Sequence, residues 1–295
     1  LLREYLLRHG LIPDEANTFV GLSKPVLFAL RAARRVARER RHVLIRGERG
    51  TGKELLARYI RVHANAGQPS PRPWEVVDAG ALSPELYASE LFGHVRGAFT
   101  GADRDRVGRV KLADGGDLFL DEIGNMPPVV QQGLLRVIEQ RVVTPLGENR
   151  PESVDIRLIC ATNEDLEGRA ATGGFREDLL DRLREGGTVV LRPLREHLED
   201  LDALVERFVR EAEQTSPGAR PKVVTPEVIE VLREYSWPGN VRELRTVVFR
   251  AVNDFPDVEY LVPGHVEVGD RANGSSLAHN TGRDPLPSVT AGQVD

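Results

Sequence analysis

The sequence predicts an α/β protein: a parallel five-stranded sheet flanked by helices, followed by a small all-helical subdomain. Three observations carry this prediction. Five short apolar runs have strand character: Val43–Ile45, Trp74–Val77, Leu118–Leu120, Ile156–Ala161 and Thr188–Leu191. Helical patterns separate several of them, for example Leu55, Leu56, Tyr59 and Ile60 after the first. Strand and helix in alternation is the mark of a parallel sheet covered on both faces. Beyond Pro193 the strand character stops, and Leu201, Leu204, Val205, Phe208 and Val209 recur at helical spacing.

Taken in order, residues 1–17 hold a short amphipathic stretch with Leu2, Leu6 and Leu7 on one side, read as the end of a linker or an upstream helix. The α/β part is expected over residues 18–192 and the helical part over 193–268. Within the latter a second helix opens at Thr225-Pro226, a cap residue followed by proline at the first helical position. A third follows the turn Trp237-Pro238-Gly239, where Asn240 and Glu243 have the spacing of a capping box. Residues 269–295 are rich in Gly, Ser, Asn, Asp and Pro without periodicity and read as a disordered tail. No internal repeat stands out.

Bulk properties narrow the class. The chain has 295 residues, enough for a sizeable core. Its net charge of −5 argues against a general nucleic-acid glove. The one basic run, Arg31 to Arg41, is read as a solvated helix face. No apolar run approaches the roughly 20 residues of a membrane-spanning helix. The single cysteine, Cys160, lies inside an apolar run, which excludes a disulfide framework or a cysteine zinc site within the chain and fits a reducing cytoplasm. A start at Leu1, with Met126 the only methionine, suggests a fragment of a longer protein.

Two motifs carry chemistry. Gly47-Glu48-Arg49-Gly50-Thr51-Gly52-Lys53-Glu54 follows a strand and opens a helix, the context of a phosphate-binding loop. Its glycines let backbone N–H groups turn inward, the helix N-terminus favours anions, and Lys53 supplies a point charge for the β and γ phosphates. Lysine is scarce here, found only at positions 24, 53, 111 and 222, and one of the four falls where the motif requires it. Glu54 stands where most such loops have a hydroxyl for magnesium; a carboxylate reaches the ion directly or through water. Farther on, the apolar strand Leu118–Leu120 ends in Asp121 and Glu122. In a phosphate-loop protein Asp121 is placed to hold magnesium and Glu122 to polarise the water that attacks the γ-phosphate of ATP.

Between the two motifs lies Gly97-Ala98-Phe99-Thr100-Gly101-Ala102, preceded by Glu90-Leu91-Phe92-Gly93-His94. From the residues alone this is an exposed loop with an apolar tip, or a hairpin turn packed on its own domain. It is identical to the GAFTGA signature of bacterial sigma-54-dependent transcription activators, and residues 18 to 268 resemble their central AAA+ ATPase domain. The resemblance implies that this loop touches sigma-54 of the RNA polymerase holoenzyme when ATP is bound. It also implies that Val20 and Gly21 cradle the adenine and that Glu54 is normal in that company. Cys160-Ala161-Thr162-Asn163 is similar to the sensor I strand end, where Thr162 or Asn163 would feel the γ-phosphate. Phe175 to Leu183 is similar to the arginine-finger segment, so Arg176 and Arg182 would reach a neighbouring subunit's ATP in a ring expected to be a hexamer. Trp237 to Leu244 is similar to the sensor II motif of the lid, with Arg242 swinging to the phosphates.

Two features depart from the family. A strand asparagine that restrains the catalytic glutamate is replaced by Asp78, which cannot donate an amide hydrogen bond to Glu122, so coupling between the loop and hydrolysis is expected to differ. Arg184-Glu185-Gly186-Gly187 is polar where the family runs apolar. The expected function is an ATP-driven remodeller of the sigma-54 holoenzyme, cytoplasmic and without membrane contact, reaching DNA only through domains outside this chain. The alternatives are a ring ATPase of the same ancestry serving another protein partner, and a non-catalytic scaffold, for which Lys53, Asp121 and Glu122 together would have no use.

Overall fold

Alternation inside each apolar run decides how the sheet is covered, because successive side chains on a strand point to opposite faces. The computed structural model describes residues 19–66, 70–78, 83–215 and 220–269. In it the five expected runs form β1 (Val43–Arg46), β2 (Trp74–Asp78), β3 (Asp117–Asp121), β4 (Arg157–Thr162) and β5 (Thr188–Val190). They pair as one five-stranded sheet in the order β2-β3-β4-β1-β5, every neighbour parallel. Leu44, Leu118, Leu120, Leu158 and Cys160 face one apolar layer, while Val43, Ile45, Phe119, Ile159 and Ala161 face the other. All six residues of β4 are buried, as expected of a central parallel strand.

Helices α1 (Lys24–Glu39) and α2 (Lys53–Asn65) cover the second face. Helices α3 (Pro84–Phe92), α4 (Pro128–Gln140) and α5 (Glu177–Arg184) cover the first. The basic run belongs to α1, with Arg31, Arg35 and Arg38 exposed and Ala29, Leu30, Ala33, Val36 and Ala37 buried. That is the solvated face expected of an amphipathic helix.

At the start of β3 and β4, away from the strand ends that bear the motifs, Asp117 and Arg157 form a bidentate pair of 2.8 and 2.9 Å, each side chain 1% exposed. Gly186 has an account in the structure: a Cβ there would meet the His42 carbonyl oxygen at 1.9 Å, so the chain enters β5 only where no side chain intrudes. Gly187 then accepts a hydrogen bond from Leu44 N–H at 3.2 Å.

The helical part follows β5. Helices α6 (Leu201–Thr215), α7 (Pro226–Glu234) and α8 (Asn240–Asp254) enclose their own core around Trp237. Thr225 is the N-cap of α7, as the sequence suggests. The capping box at Asn240 is a misreading. Gly239 is the N-cap of α8; Glu243 accepts its N–H at 2.8 Å, and the Asn240 side chain crosses to another part of the molecule. The expected leading helix in 1–17, and the tail at 269–295 apart from Gly269, lie outside the described residues.

Candidate nucleotide site

In open parallel sheets ligands bind beyond the carboxyl ends of the strands, and there the motif residues gather. The loop from Gly47 to Gly52 joins β1 to α2, whose first residue is Lys53. Gly50 takes a positive φ of 81°, and a Cβ there would meet the Gly239 carbonyl oxygen at 2.1 Å, so only glycine fits between the loop and the helical part. Inside the loop Thr51 Oγ1 donates to the Glu48 carbonyl at 2.8 Å. Lys53, only 6% exposed, donates to the Gly47 carbonyl at 3.2 Å and meets Glu122 Oε1 at 3.3 Å. The loop and the acidic strand end thus share one cleft.

Three carboxylates stand at neighbouring strand ends. Asp78 and Asp121 are register partners on β2 and β3, and Glu122 follows Asp121. Burial, with the Glu122 charge beside it, pushes the Asp121 carboxyl above its ordinary pKa, although Lys53 pulls it back. Asp121 Oδ1 accepts the Glu122 N–H at 2.9 Å. Glu122 itself holds φ at 52°, a left-handed conformation that is costly for glutamate and common where a site fixes a side chain. Among the described residues no group of three or more His, Cys, Asp or Glu is arranged to hold a metal ion. Magnesium beside Asp121 would take its remaining ligands from phosphate oxygens and water, its usual mode of binding, so the donors present fit the ion.

The cleft opens into a cavity of about 440 Å³, the size of a small-ligand pocket. Its wall combines a charged set, from the loop Arg49 to Glu54, Asp121, Glu122 and Arg242, with an apolar set, Phe19, Val20, Leu204 and Phe208. Glu54 lines the cavity, but its exposed carboxylate is held by Arg58 at 2.7 Å. Arg242 sits in the first turn of α8, and its N–H donates to the Gly50 carbonyl at 3.2 Å. The helical part is clasped to the loop at a second point. Glu48 is paired with Arg195 and accepts from Asn240 Nδ2 at 3.2 Å, and these bonds, Arg195 first, hold its carboxyl down to a pKa of about 2. Asn240 also donates to the Arg49 carbonyl at 3.0 Å and accepts Leu194 N–H at 2.8 Å.

Other expected residues lie outside the cavity wall. Gly21 sits behind Val20, against Asp200. Thr162 is buried at the end of β4, where its Oγ1 accepts Glu164 N–H at 3.0 Å, and Asn163 follows it exposed. Arg176 is exposed and forked onto Asp178 at 3.0 and 2.6 Å; Arg182 is exposed and shared by Glu139 at 3.1 Å and Glu185 at 2.5 Å. Neither reaches the cavity of its own chain.

The segment Gly97 to Ala102 caps a two-stranded hairpin formed by Gly93–His94 and Arg106–Val107. Thr100 and Gly101 are exposed at its tip, whereas the Phe99 ring packs edge-on to His94 at 5.0 Å and Ala102 is buried. The open apolar tip is thus corrected: Phe99 is folded down, and His94 is fixed from below by Ser89 Oγ at 2.7 Å. Sequence reasoning missed Phe19, His197, Leu204, Arg207, Phe208 and Arg245 as cavity residues. Arg245 was findable, since it follows Arg242 by one helical turn; the apolar ones were indistinguishable from core.

A glycine-rich phosphate loop, an acidic strand end and a helical lid over one cavity define a nucleotide-binding α/β domain of the AAA+ class. Residues 19–187 match the family described as the Sigma-54 interaction domain, and residues 195–265 match the AAA+ ATPase lid domain. The chain belongs to the sigma-54 interaction domain family. It is 48% identical over 211 residues to the transcriptional regulatory protein ZraR of Klebsiella oxytoca, covering 71% of this chain and 46% of that one. It is 43% identical over 241 residues to the Nif-specific regulatory protein of Azospirillum brasilense, covering 82% of this chain and 38% of the other. The chain spans about half the length of ZraR and less of the Nif regulator. Among solved structures, NtrX from Brucella abortus in complex with ADP superposes with a TM-score of 0.77 at 30% identity, over 95% of this chain and 61% of that one. No helix among the described residues is long and apolar enough to cross a membrane.

Proposed function

We propose that this chain is an ATP-hydrolysing ring motor that remodels the sigma-54 RNA polymerase holoenzyme to promote open-complex formation, with residues 18–192 as its nucleotide-binding part and 193–268 as its lid. The observation that carries this reading is the meeting of Lys53 with Glu122, beside Asp121, in a cavity that also presents an apolar wall. A triphosphate with a flat base needs that division. Backbone N–H groups of the loop and the start of α2 cradle the phosphates, and Lys53 exchanges a carbonyl and Glu122 for phosphate oxygens. Glu122, released from Lys53, orients the attacking water. Asp121 would hold magnesium, with Glu54, here in an exposed pair with Arg58, assisting through water, and the ion would offset charge on the phosphates.

Arg176 and Arg182 are exposed and paired only with exposed carboxylates of their own chain. Such pairs are weak, so both guanidinium groups are available to a neighbour's ATP in a hexameric ring. Thr162 or Asn163 and Arg242 sense the γ-phosphate from the sheet and the lid. The loop Gly97–Ala102 lifts to engage sigma-54, which requires Phe99 to leave His94. Trapping with ADP and aluminium fluoride tests the partner: sigma-54 is expected to co-migrate with the native chain and to be lost with Thr100→Ala. Trapping that survives this substitution, or never forms, assigns the motor to a different protein partner.

A further inference from the structure

The segment Phe19–Ser23 supplies Phe19 and Val20 to the apolar wall of the cavity, yet it precedes the sheet in sequence and belongs to no strand. What holds it comes from the lid. Asp200 lies in the single helical turn Leu198–Asp200 that leads into α6, and it is 3% exposed. Its Oδ1 accepts Leu22 N–H at 2.7 Å and Ser23 N–H at 2.9 Å, and its Oδ2 meets His197 Nδ1 at 3.1 Å. These N–H groups belong to the N-cap Ser23 and the residue before it, just ahead of α1, so the carboxylate also sits near the positive end of that helix dipole. Gly21 shows how tightly the parts fit. It holds φ at 145°, and a Cβ there would meet Asp200 Oδ2 at 2.8 Å.

We propose that Asp200 is the positioning residue for the base half of the nucleotide site, tying the turn that carries Phe19 and Val20 to the lid so that both apolar walls of the cavity move as one body. The opposing wall, Leu204 and Phe208, rides on α6, which begins one residue after Asp200. The phosphate loop and the acidic strand end make no hydrogen bond with Asp200, and the lid reaches them through other residues, Arg242 and Asn240. A change at Asp200 is therefore expected to act on base recognition and to leave the phosphate contacts in place. This inference rests on reading the cavity as an ATP site.

Steady-state ATP hydrolysis by the full chain, with inorganic tripolyphosphate as competitor, tests it. Asp200→Ala leaves the part-buried Leu22 N–H and the buried Ser23 N–H without their acceptor and the turn untied, so KM for ATP is expected to rise about ten-fold or more. Turnover at saturation should stay within about two-fold, because contacts made only in the transition state are untouched. The inhibition constant of tripolyphosphate should not change. Asp200→Asn keeps an oxygen acceptor for both N–H groups and should recover most of the KM loss. An unchanged KM in Asp200→Ala, a parallel weakening of tripolyphosphate, or an Asn variant no better than Ala each overturns the proposal. Should Asp200→Ala fail to fold, Gly21→Ala presses a methyl on the same carboxylate and carries the test: a raised KM supports the tie, a native KM contradicts it. A native chain that leaves ATP untouched contradicts the ATPase reading itself, an outcome distinct from all of these.

Discussion

Glu122 concentrates the local tension of the site: its backbone is left-handed at φ 52°, its carboxylate touches Lys53 at 3.3 Å, and Asp121 adjoins it with a raised pKa. In the proposed motor this residue activates the attacking water, and removing its charge should spare binding. Glu122→Gln is expected to lower turnover by about 10²- to 10⁴-fold, the usual worth of a general base, with ATP affinity retained by equilibrium dialysis. Asp78 adds a third carboxylate as the register partner of Asp121. Asp78→Asn restores an amide donor and should bring Glu122 under restraint, lowering basal ATP turnover while leaving KM in place; identical kinetics would dismiss the idea. Glu48 offers a titration. Its folded pKa lies near 2, below its ordinary 4.5, so the clasp it forms with Arg195 is complete above pH 4.5 and lost as pH falls through 2. Carboxyl NMR should place its midpoint near 2 and move it toward 4.5 in Arg195→Ala.

At the scale of elements, the strands were legible because a covered parallel sheet demands continuous apolar runs, and all five fell where such runs occur. The acidic strand end and the phosphate loop were legible because their chemistry allows few substitutes. What escaped the sequence was local pairing of two or three residues: the hairpin under Gly97–Ala102 has strands of two residues each, too short for any period to show. Asn240 failed for another reason. An Asn three residues before a Glu satisfies a capping pattern, but the buried amide is better used tying Glu48, Arg49 and Leu194 together, a choice only the fold reveals. Asn240→Ala should therefore cost about 1–3 kcal/mol in thermal unfolding, because the buried Leu194 N–H loses its acceptor and two part-buried bonds are lost with it. Arg157, hidden in an apolar run, was likewise unreadable as the mate of Asp117. Asp117→Ala strands its buried guanidinium and should cost about 3–5 kcal/mol by urea titration.

Across the whole molecule, the sheet part offers the phosphate loop and the acidic pair, while the lid offers Arg242, Asn240, Arg195 and the apolar wall. The cavity exists only where the two meet. The hairpin that carries Thr100 directly follows α3, one of the helices packed on the first face of the sheet. Neither Arg176 nor Arg182 lines the cavity of its own chain, so in the proposed ring catalysis would depend on a neighbour. Turnover per chain should then rise with concentration, and Arg176→Ala mixed into native protein should depress activity by more than its share.

The account turns on one cleft. Phosphate release measured side by side for the native chain, Lys53→Ala and Glu122→Gln tests it most directly, with ATP binding followed in the same samples. The native chain should hydrolyse ATP, Lys53→Ala should lose both binding and turnover, and Glu122→Gln should bind ATP yet release almost no phosphate. Native-like turnover in Glu122→Gln, or ATP binding indifferent to Lys53, would contradict it.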